Sequence, residues 1–451
     1  MSGQPPTYPP AIDPIGPDGL HRLYGPEWEA DPMAVFEKLR AEYGALAPVL
    51  LPGDVHAWLV LGHRENGLVA GNASVFSRDP RNWKAMKDGL ITHDHPLAPV
   101  TRWQRLLVFV DGLEHRWMRD AVIESLKKFE QRGVRRLVVQ HTDEAIDELV
   151  AGVGHGEPRA DLVGLANRVS LKVVLSLFGM DDYFDALSAD MHEMISGGTG
   201  AAAAGARVTA TFQDVVEQRK QSPGHDLPSI LLAHGMDDEV VRETLRVITA
   251  AANEPTAQLM LETFAYYLGD PKSLRELRGA STTVAAAVAR VLWDRPPMIT
   301  NIGRWATGTT KLAGRRIEEG DMLLLGIGAA NHDPAARATG DDLQNNRASL
   351  AFSHGPHACP GETMGRGIVE TFLDRLMYRL PSVRLAAKPE ELPRKATLMI
   401  WQFLEMPFTW DRDGALVVLR KREADGLVAG ERIRVPSPTT AKSAIPEVRI
   451  S

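Results

Sequence analysis

The chain contains a single cysteine, Cys359, within a stretch rich in histidine, glycine and proline. This stretch is LAFSHGPHACPGET, residues 350–363, and it leads directly into a predicted helix. The free amide groups and positive dipole end of a helix N-terminus favour a thiolate over a thiol. Gly355 and Gly361 allow the backbone to approach a ligand closely. Together these residues predict a cysteine thiolate that binds a metal.

Other side chains of this stretch suit a flat ligand that carries anionic groups. Phe352 can cover one side of an aromatic ligand, and His357 can meet an anionic substituent. A thiolate held in this way is what an axial ligand of an iron porphyrin requires. The alternatives are a small buried structural cysteine and a zinc site formed by His354, His357 and Cys359. These three residues, crowded together without a second cysteine or histidine cluster, do not match the usual spacing of zinc ligands.

The pattern Phe352-x-x-Gly355-x-His357-x-Cys359-x-Gly361 resembles the haem-binding signature of the cytochrome P-450 family. The resemblance implies that haem b is bound between a long helix and the Cys359 loop, with Cys359 as the iron ligand. It also implies a mostly α-helical fold with a smaller β portion, arranged as a triangular helical prism around the haem.

Two further matches fall where the family binds the haem propionates. The segment EHRWMR, residues 114–119, resembles the family's His-x-x-x-Arg, and this spacing puts His115 and Arg119 on one side of a helix. Arg304 falls where the family has another propionate arginine, and His357 completes the set. Without the resemblance, His115 and Arg119 would be interpreted as part of a solvated helix face.

The long apolar pattern over 239–268 resembles the oxygen-binding helix of the family, with one departure. The family's Ala/Gly-Gly-x-Asp/Glu-Thr corresponds to AANEP at residues 251–255, so proline stands in place of threonine. A proline inside a helix removes one backbone hydrogen bond and bends the helix. Glu254 and Thr256 are predicted to form the proton path, or else only to line the pocket, and Ala252 to lie at the haem.

A second departure concerns the helix before the Pro296-Pro297 turn. Where the family has Glu-x-x-Arg, this chain has Arg290 and Trp293. In the family the charged pair belongs to a buried ion network that braces the cysteine loop, and losing both charges together can be nearly neutral. Trp293 is expected to fill the space by packing. In this respect the chain resembles an actinobacterial branch of the family that lacks the charged pair.

The elements that must position these motifs follow from hydrophobic periodicity and turn signals. Helices are predicted at 32–43, 134–151, 160–179, 239–268 and 363–380. Hairpins are predicted from runs 47–51 and 57–61, and from 312–317 and 322–327. A long functional loop is predicted at 78–107, and a loose helix or mobile connector at 196–206.

Three regions are expected along the chain. Residues 1–30 are predicted to be an irregular arm, 31–412 the haem-binding domain, and 413–451 a weakly ordered tail. The net charge of -7 argues against sequence-independent binding of nucleic acid, which needs a basic surface. The polar, proline-rich start and the lack of a long apolar run argue against a signal peptide and a membrane span. With one cysteine, which fits a reducing compartment, the protein is predicted to be cytoplasmic.

The resemblance implies a haem-thiolate monooxygenase that hydroxylates or oxidises a small apolar or secondary-metabolite-like substrate. It would consume dioxygen and two electrons from a ferredoxin-type donor, with residues 80–107, residues 184–210 and Ala252 around the substrate. The alternative is a haem-binding sensor, carrier or scaffold with a signalling-protein partner and no turnover. The displaced threonine, the missing Glu-x-x-Arg and the tail motivate that alternative. A haem-free relic is a third hypothesis.

Overall fold

The structure is a computed structural model of the 451-residue chain. It describes residues 12–16, 18–129, 131–153, 158–196, 200–279, 282–337 and 346–411, together with four short strands beyond residue 411. Among these residues no helix combines the length and the apolar character that crossing a membrane requires.

Helices account for most of the regular structure of the described residues. Numbered in chain order, the α-helices are α1 Pro26–Ala30, α2 Pro32–Tyr43, α3 His63–Gly71, α4 Lys84–Lys87, α5 Ala98–Thr101, α6 Gly112–Lys128, α7 Gln131–Gly152, α8 Leu162–Leu177, α9 Phe184–Ser196, α10 Ala201–Gln221, α11 Leu227–Ala233, α12 Asp238–Gly269, α13 Pro271–Arg278, α14 Val284–Asp294, α15 Ile327–Asn331 and α16 Glu362–Arg379.

The β portion is smaller and consists of short strands. They are β1 His21–Arg22, β2 Leu46–Leu51, β3 Val55–Val60, β4 Phe76–Ser77, β5 Arg159–Asp161, β6 Asn301–Ala306, β7 Thr310–Leu312, β8 Arg315–Ile317, β9 Met322–Leu325, β10 Arg384–Leu385, β11 Arg394–Ala396, β12 Trp401–Phe403, β13 Pro407–Thr409, β14 Leu416–Val418, β15 Arg422–Glu423, β16 Gly426–Leu427 and β17 Arg432–Arg434. The predicted fold class, mostly α with a smaller β portion, is confirmed.

The helices predicted from periodicity are present. The predicted helices 32–43, 134–151, 239–268 and 363–380 correspond to α2, α7, α12 and α16. Helix α8 begins later than predicted because residues 159–161 pair with β13 as β5. The carboxylate of Asp161 then caps α8 by accepting a hydrogen bond from Gly164 N, at 3.2 Å. Of the predicted 196–206 connector, residues 201–206 begin α10, and 197–199 lie outside the described residues.

The main sheet has six strands in the order β1-β2-β3-β9-β6-β4. The first predicted hairpin is confirmed as β2 and β3. The second is wrong: β8 turns back on β7 through Ala313 and Gly314, whereas β9 pairs with β3 and β6. The positive φ angles of Ala313 (47°) and Gly314 (77°) suit a tight hairpin turn. All four residues of β9 are buried, as a central strand requires.

Two segments predicted to be irregular contain short elements. The 1–30 arm includes β1, which pairs with β2, and α1, whose Trp28 is buried and donates from Nε1 to Thr397 O at 2.9 Å. The 78–107 loop includes α4 and α5. These elements have two to five residues each, too few to produce a periodic pattern.

In the predicted tail, β14 pairs with β17 and β15 pairs with β16. The boundaries between the arm, the haem-binding domain and the tail stay predictions.

Helix α12 crosses the largest apolar cluster of the described residues. This cluster joins side chains from α6, α7, α8, α10, α12, α14 and α16, and α12 packs against both α8 and α16. A second cluster lies between α2 and the main sheet. Helix α16 follows the Cys359 loop directly and packs against α12, so the loop lies on the same side of the protein as α12.

Candidate functional site

The Cys359 loop is fixed by backbone hydrogen bonds and by one close approach. Ser353 N donates to Leu350 O at 2.7 Å, and Cys359 N donates to Phe352 O at 2.9 Å. Gly355 has a φ of +73°, and a Cβ added there would lie 2.7 Å from Ala70 O on α3. Glycine is therefore required at position 355 both for its conformation and for the space that it leaves.

The Cys359 side chain is accessible to solvent although it lies deep within the outline of the protein. Burial raises the pKa of its thiol, and the carboxylate of Glu362 adds to this rise. The Gly361 N–H and the charge of Arg119 act in the opposite direction. The helix end thus favours the thiolate as expected, but burial outweighs it in the protein without iron. A ligand that coordinates sulfur must therefore displace a proton.

The structure brings the predicted propionate ligands together. The rings of His115 and His357 lie 3.9 Å apart, and Arg304 is close enough to lower the pKa of His357. Arg119 lies one helical turn after His115 on α6, where its charge acts on Cys359. These residues thus form one cluster of basic side chains beside the cysteine loop.

Two buried side chains of this cluster, Arg304 and His115, have no carboxylate as a hydrogen-bond partner among the described residues. Arg304 is 2% exposed, and its Nη1 donates to Gly303 O at 3.1 Å. Burial and the neighbouring charge of Arg78 lower the pKa of Arg304 well below its usual value. His115 is also buried, and its Nε2 atom has no hydrogen-bond partner among the described residues. Burial also lowers the pKa of His115 and so disfavours its cationic form. A buried guanidinium that no carboxylate bonds is costly, so the surroundings of Arg304 suit an anionic ligand.

Asp111, directly before α6, links the histidine pair to the rest of the site. Its carboxylate accepts hydrogen bonds from His357 Nε2 at 3.0 Å, Ser77 Oγ at 2.6 Å and Arg78 N at 2.9 Å. Burial alone would raise the pKa of Asp111, but these three hydrogen bonds together lower it. Burial lowers the pKa of His357 to about 4, although Asp111 acts against this. Near neutral pH the ring of His357 is therefore uncharged and orients towards an ionised carboxylate.

These residues fit haem b. The propionate carboxylates would supply the hydrogen-bond acceptors that Arg304 and His115 lack. They would also raise the pKa of both histidines, because an adjacent negative charge favours the cationic form. Phe352 is partly buried beside this site, and Arg366 lies over its ring at 5.2 Å. Among the described residues, no group of three or more histidine, cysteine or acidic side chains is placed to hold a metal ion.

The predicted proton-path residues lie in the middle of α12, which continues through Pro255. Burial raises the pKa of Glu254, and no ion pair or hydrogen bond of its side chain is found among the described residues. Thr256 is partly buried one residue beyond the proline, and Ala252 packs against the main apolar cluster. Ser170 Oγ donates to Asn253 O at 3.0 Å, so α8 reaches the same part of α12.

The site includes two residues that sequence reasoning missed, Arg78 and Asp111. Arg78 donates to Val108 O at 2.9 Å, Ile302 O at 2.5 Å and Gly303 O at 2.6 Å, and burial lowers its pKa to about 10. Asp111 could have been found from its position directly before the helix that carries His115 and Arg119. Nothing in the sequence around Arg78 indicates that its guanidinium is buried.

Comparisons with known proteins agree with this geometry. No protein-family model matches the chain. Mycinamicin IV hydroxylase/epoxidase of Micromonospora griseorubida is 26% identical over 411 residues, 86% of this chain and 94% of that protein. Nocardicin C N-oxygenase of Nocardia uniformis subsp. tsuyamanensis is 27% identical over 419 residues, 88% and 97% of the two chains. The structure of CYP154A1 from Streptomyces coelicolor A3(2) matches with a TM-score of 0.72 and 27% identity, over 85% and 98%.

Proposed function

The chain belongs to the cytochrome P-450 family and is a haem b monooxygenase, and we propose that Cys359 is its iron ligand. The observation that carries this proposal is the exposed Cys359 at the end of a constrained loop, close to buried Arg304 and His115 side chains that no carboxylate bonds. The sensor, carrier or scaffold alternative gains no support from these relatives, which are hydroxylases and oxygenases.

Haem b, when bound, supplies the activation of dioxygen, so that one oxygen atom enters the substrate and the other leaves as water. The protein must hold the cofactor and deliver two protons and two electrons for each turnover. We propose that Arg304, His115 and His357 hold the propionates, with Asp111 orienting His357. Arg119 stabilises negative charge at Cys359, because its guanidinium favours the thiolate.

Glu254 is proposed to move protons into the site. Burial raises the pKa of this carboxyl, so it keeps a proton at a pH where an exposed glutamate has lost it. Such a group can give up a proton in the pocket and recover it from solvent. Pro255 stands in place of the family's threonine, so the residue directly after Glu254 has no hydroxyl, and the next hydroxyl in the helix is that of Thr256.

The substrate is proposed to be a small apolar molecule of the secondary-metabolite type. Two relatives are named for the compounds that they oxidise, mycinamicin IV and nocardicin C. Apolar side chains of α8 and α12 belong to one cluster, and Ala252 packs against it, which suits an apolar substrate near Ala252. Ala252 and residues 80–107 are proposed to contact it.

A screen of secondary metabolites followed by turnover tests this function. Ligands that enter the site are expected to change the spin state of the ferric haem, which absorbance reports. For each such ligand, the holoprotein with a ferredoxin, its reductase and isotopically labelled dioxygen should give a product that contains one labelled oxygen atom. Electron consumption without labelled product for every spin-shifting ligand would contradict the monooxygenase function and favour the sensor or carrier hypothesis.

A ferredoxin-type donor is proposed to dock beside the cysteine loop. A cavity of about 1110 Å³ opens there between α6, α7, α14 and α16, and it is lined by four basic side chains, Lys127, Arg135, Arg347 and Arg366. Glu362 and Glu370 also line it, so basic groups are in excess. An excess of positive charge attracts an acidic donor and speeds its association at low ionic strength.

We predict that Lys127→Glu slows reduction by an acidic ferredoxin about fivefold at low salt, because it replaces attraction by repulsion in this cavity. Lys87→Glu makes the same charge change on α4, outside this cavity, and is the matched control. The rate of haem reduction should be measured against ferredoxin concentration at several ionic strengths. Equal rates for wild type and Lys127→Glu at every ionic strength would rule out docking at this surface.

A further inference from the structure

The segment 346–351 leads into the Cys359 loop, and side chains from other elements hold its backbone. Trp293 Nε1 on α14 donates to Asn346 O at 2.8 Å, and the Trp293 ring is fully buried. His63 on α3 stacks on that ring, with 6.1 Å between the ring centres, and its Nε2 bonds Ala348 O at 2.8 Å. Trp293 is therefore packed in the interior, as expected from the sequence, and its indole also makes a hydrogen bond.

Asn331, the last residue of α15, makes the central connection. Its Nδ2 donates to Leu292 O at 2.8 Å and to Ser349 Oγ at 3.1 Å, and its Oδ1 accepts from Leu350 N at 2.9 Å. Asn331 is fully buried. One amide thus joins the end of α14 to the residue at which the cysteine loop begins.

The end of α14 needs this partner. Leu292 lies in the last turn of α14, where helix carbonyls lack partners within the helix. Leu292 O accepts from Asn331 Nδ2 and also from Ser349 Oγ, at 2.9 Å. Asp294, the last residue of α14, accepts hydrogen bonds from Arg290 of the same helix at 2.5 Å and from Arg337, which follows α15. The contacts to the 346–351 segment are therefore made without an ion pair among the described residues.

The connection continues to the sulfur through short backbone links. Leu350 N is held by Asn331, and Leu350 O accepts from Ser353 N at 2.7 Å. Phe352, the residue before Ser353, accepts at its carbonyl from Cys359 N at 2.9 Å. A displacement of Leu350 would therefore shift the hydrogen bond that fixes Cys359.

We infer that Asn331, assisted by Trp293 and Ser349, is the positioning residue that holds the cysteine loop in register for sulfur ligation of haem. Trp293 falls at the last position of the family's Glu-x-x-Arg, and in this chain the loop segment is held by neutral hydrogen bonds of Trp293, Asn331 and Ser349. The inference rests on the proposed ligation by Cys359. Because the network is fully hydrogen-bonded, losing one member leaves buried polar groups unpaired.

The test compares full-length holoprotein variants by two measurements that do not depend on activity. The first is the rate at which haem transfers to an excess of a haem-scavenging globin. The second is the fraction of reduced, carbon monoxide-bound protein whose absorption band has the strong red shift of thiolate ligation. Asn331→Leu removes all three hydrogen bonds of the side chain, and is expected to release haem at least about tenfold faster and to lose part of the red-shifted fraction. Trp293→Phe removes only the hydrogen bond to Asn346 O. It should change the rate of haem release and the red-shifted fraction in the same directions, but by less.

The matched control is Asn66→Leu. Asn66 is also buried, at 1% exposure, and its Nδ2 donates to Val60 O and Gly62 O at 2.8 Å, with no hydrogen bond to the 346–351 segment. This variant should lower the unfolding temperature without changing the red-shifted fraction.

Three outcomes distinguish the hypotheses. If Asn331→Leu does not fold, Trp293→Phe carries the test. If both variants release haem and retain the red-shifted band as wild type does, the positioning role is wrong while ligation by Cys359 stands. If wild type itself has no red-shifted band, the proposed ligation fails first.

Discussion

Replacing Cys359 by histidine is expected to abolish substrate oxidation while the protein still binds haem. Arg304, His115 and His357 remain to hold the propionates, so haem content should stay near that of wild type. An imidazole lacks the negative charge with which a thiolate pushes electron density and favours cleavage of dioxygen. Product formation should therefore fall on the order of 1000-fold, a rise of about 4 kcal/mol in the barrier.

The control for this variant is His354→Ala. His354 lies in the same loop, is exposed, and its ring is close to Gly71 of α3. Its replacement should leave product formation within about threefold of wild type, because substitutions of exposed side chains outside the binding site usually have small effects. Product formed per minute and haem content should be measured side by side. If Cys359→His forms product within tenfold of wild type, another residue must ligate the iron.

Glu254→Gln is expected to uncouple electron use from product formation. Glutamine keeps the size and the polarity of the side chain but cannot release a proton. Product formed per electron consumed should fall about 100-fold, the contribution typical of a positioned acid-base group. Haem binding and the spin-state response to ligands should not change. Since burial raises the pKa of Glu254, wild-type coupling should decline as pH rises through that pKa, and the variant should lack this decline.

Thr256→Val tests whether Thr256 belongs to the proton path or only lines the pocket. Thr256 lies beyond Pro255, and its side chain has no hydrogen bond to a described residue. The valine variant keeps the shape of the threonine and should couple normally if Glu254 alone carries protons. Coupling of Glu254→Gln equal to wild type across the pH range would mean that Glu254 only lines the pocket.

The elements that carry a strong periodic pattern could be predicted from the sequence. Helices α2, α12 and α16 have a regular apolar face. The spacing of the residues in the cysteine motif also indicates where the loop ends and α16 begins. The β7–β8 hairpin was missed because Ala313 adopts a positive φ, which a sequence seldom indicates for alanine. The one- and two-turn elements near residues 26 and 84 are fixed by tertiary contacts such as the buried Trp28.

The site itself was only partly predictable. Cys359, His115, His357 and Arg304 followed from the resemblance, and the structure brings the last three together. Arg78 could not be found, because three backbone carbonyls from distant segments hold it. Asn331 could not be found either: its role depends on the carbonyl of Leu292 and the amide of Leu350, which only the fold brings together.

The absorption spectrum of the reduced wild-type protein with carbon monoxide tests the ligation of haem by Cys359 most directly. We predict the strong red shift of a thiolate-ligated haem, and its loss in Cys359→Ala. A band at the unshifted position of an imidazole-ligated haem in wild type, or a protein that stays colourless when supplied with haemin, would contradict this assignment.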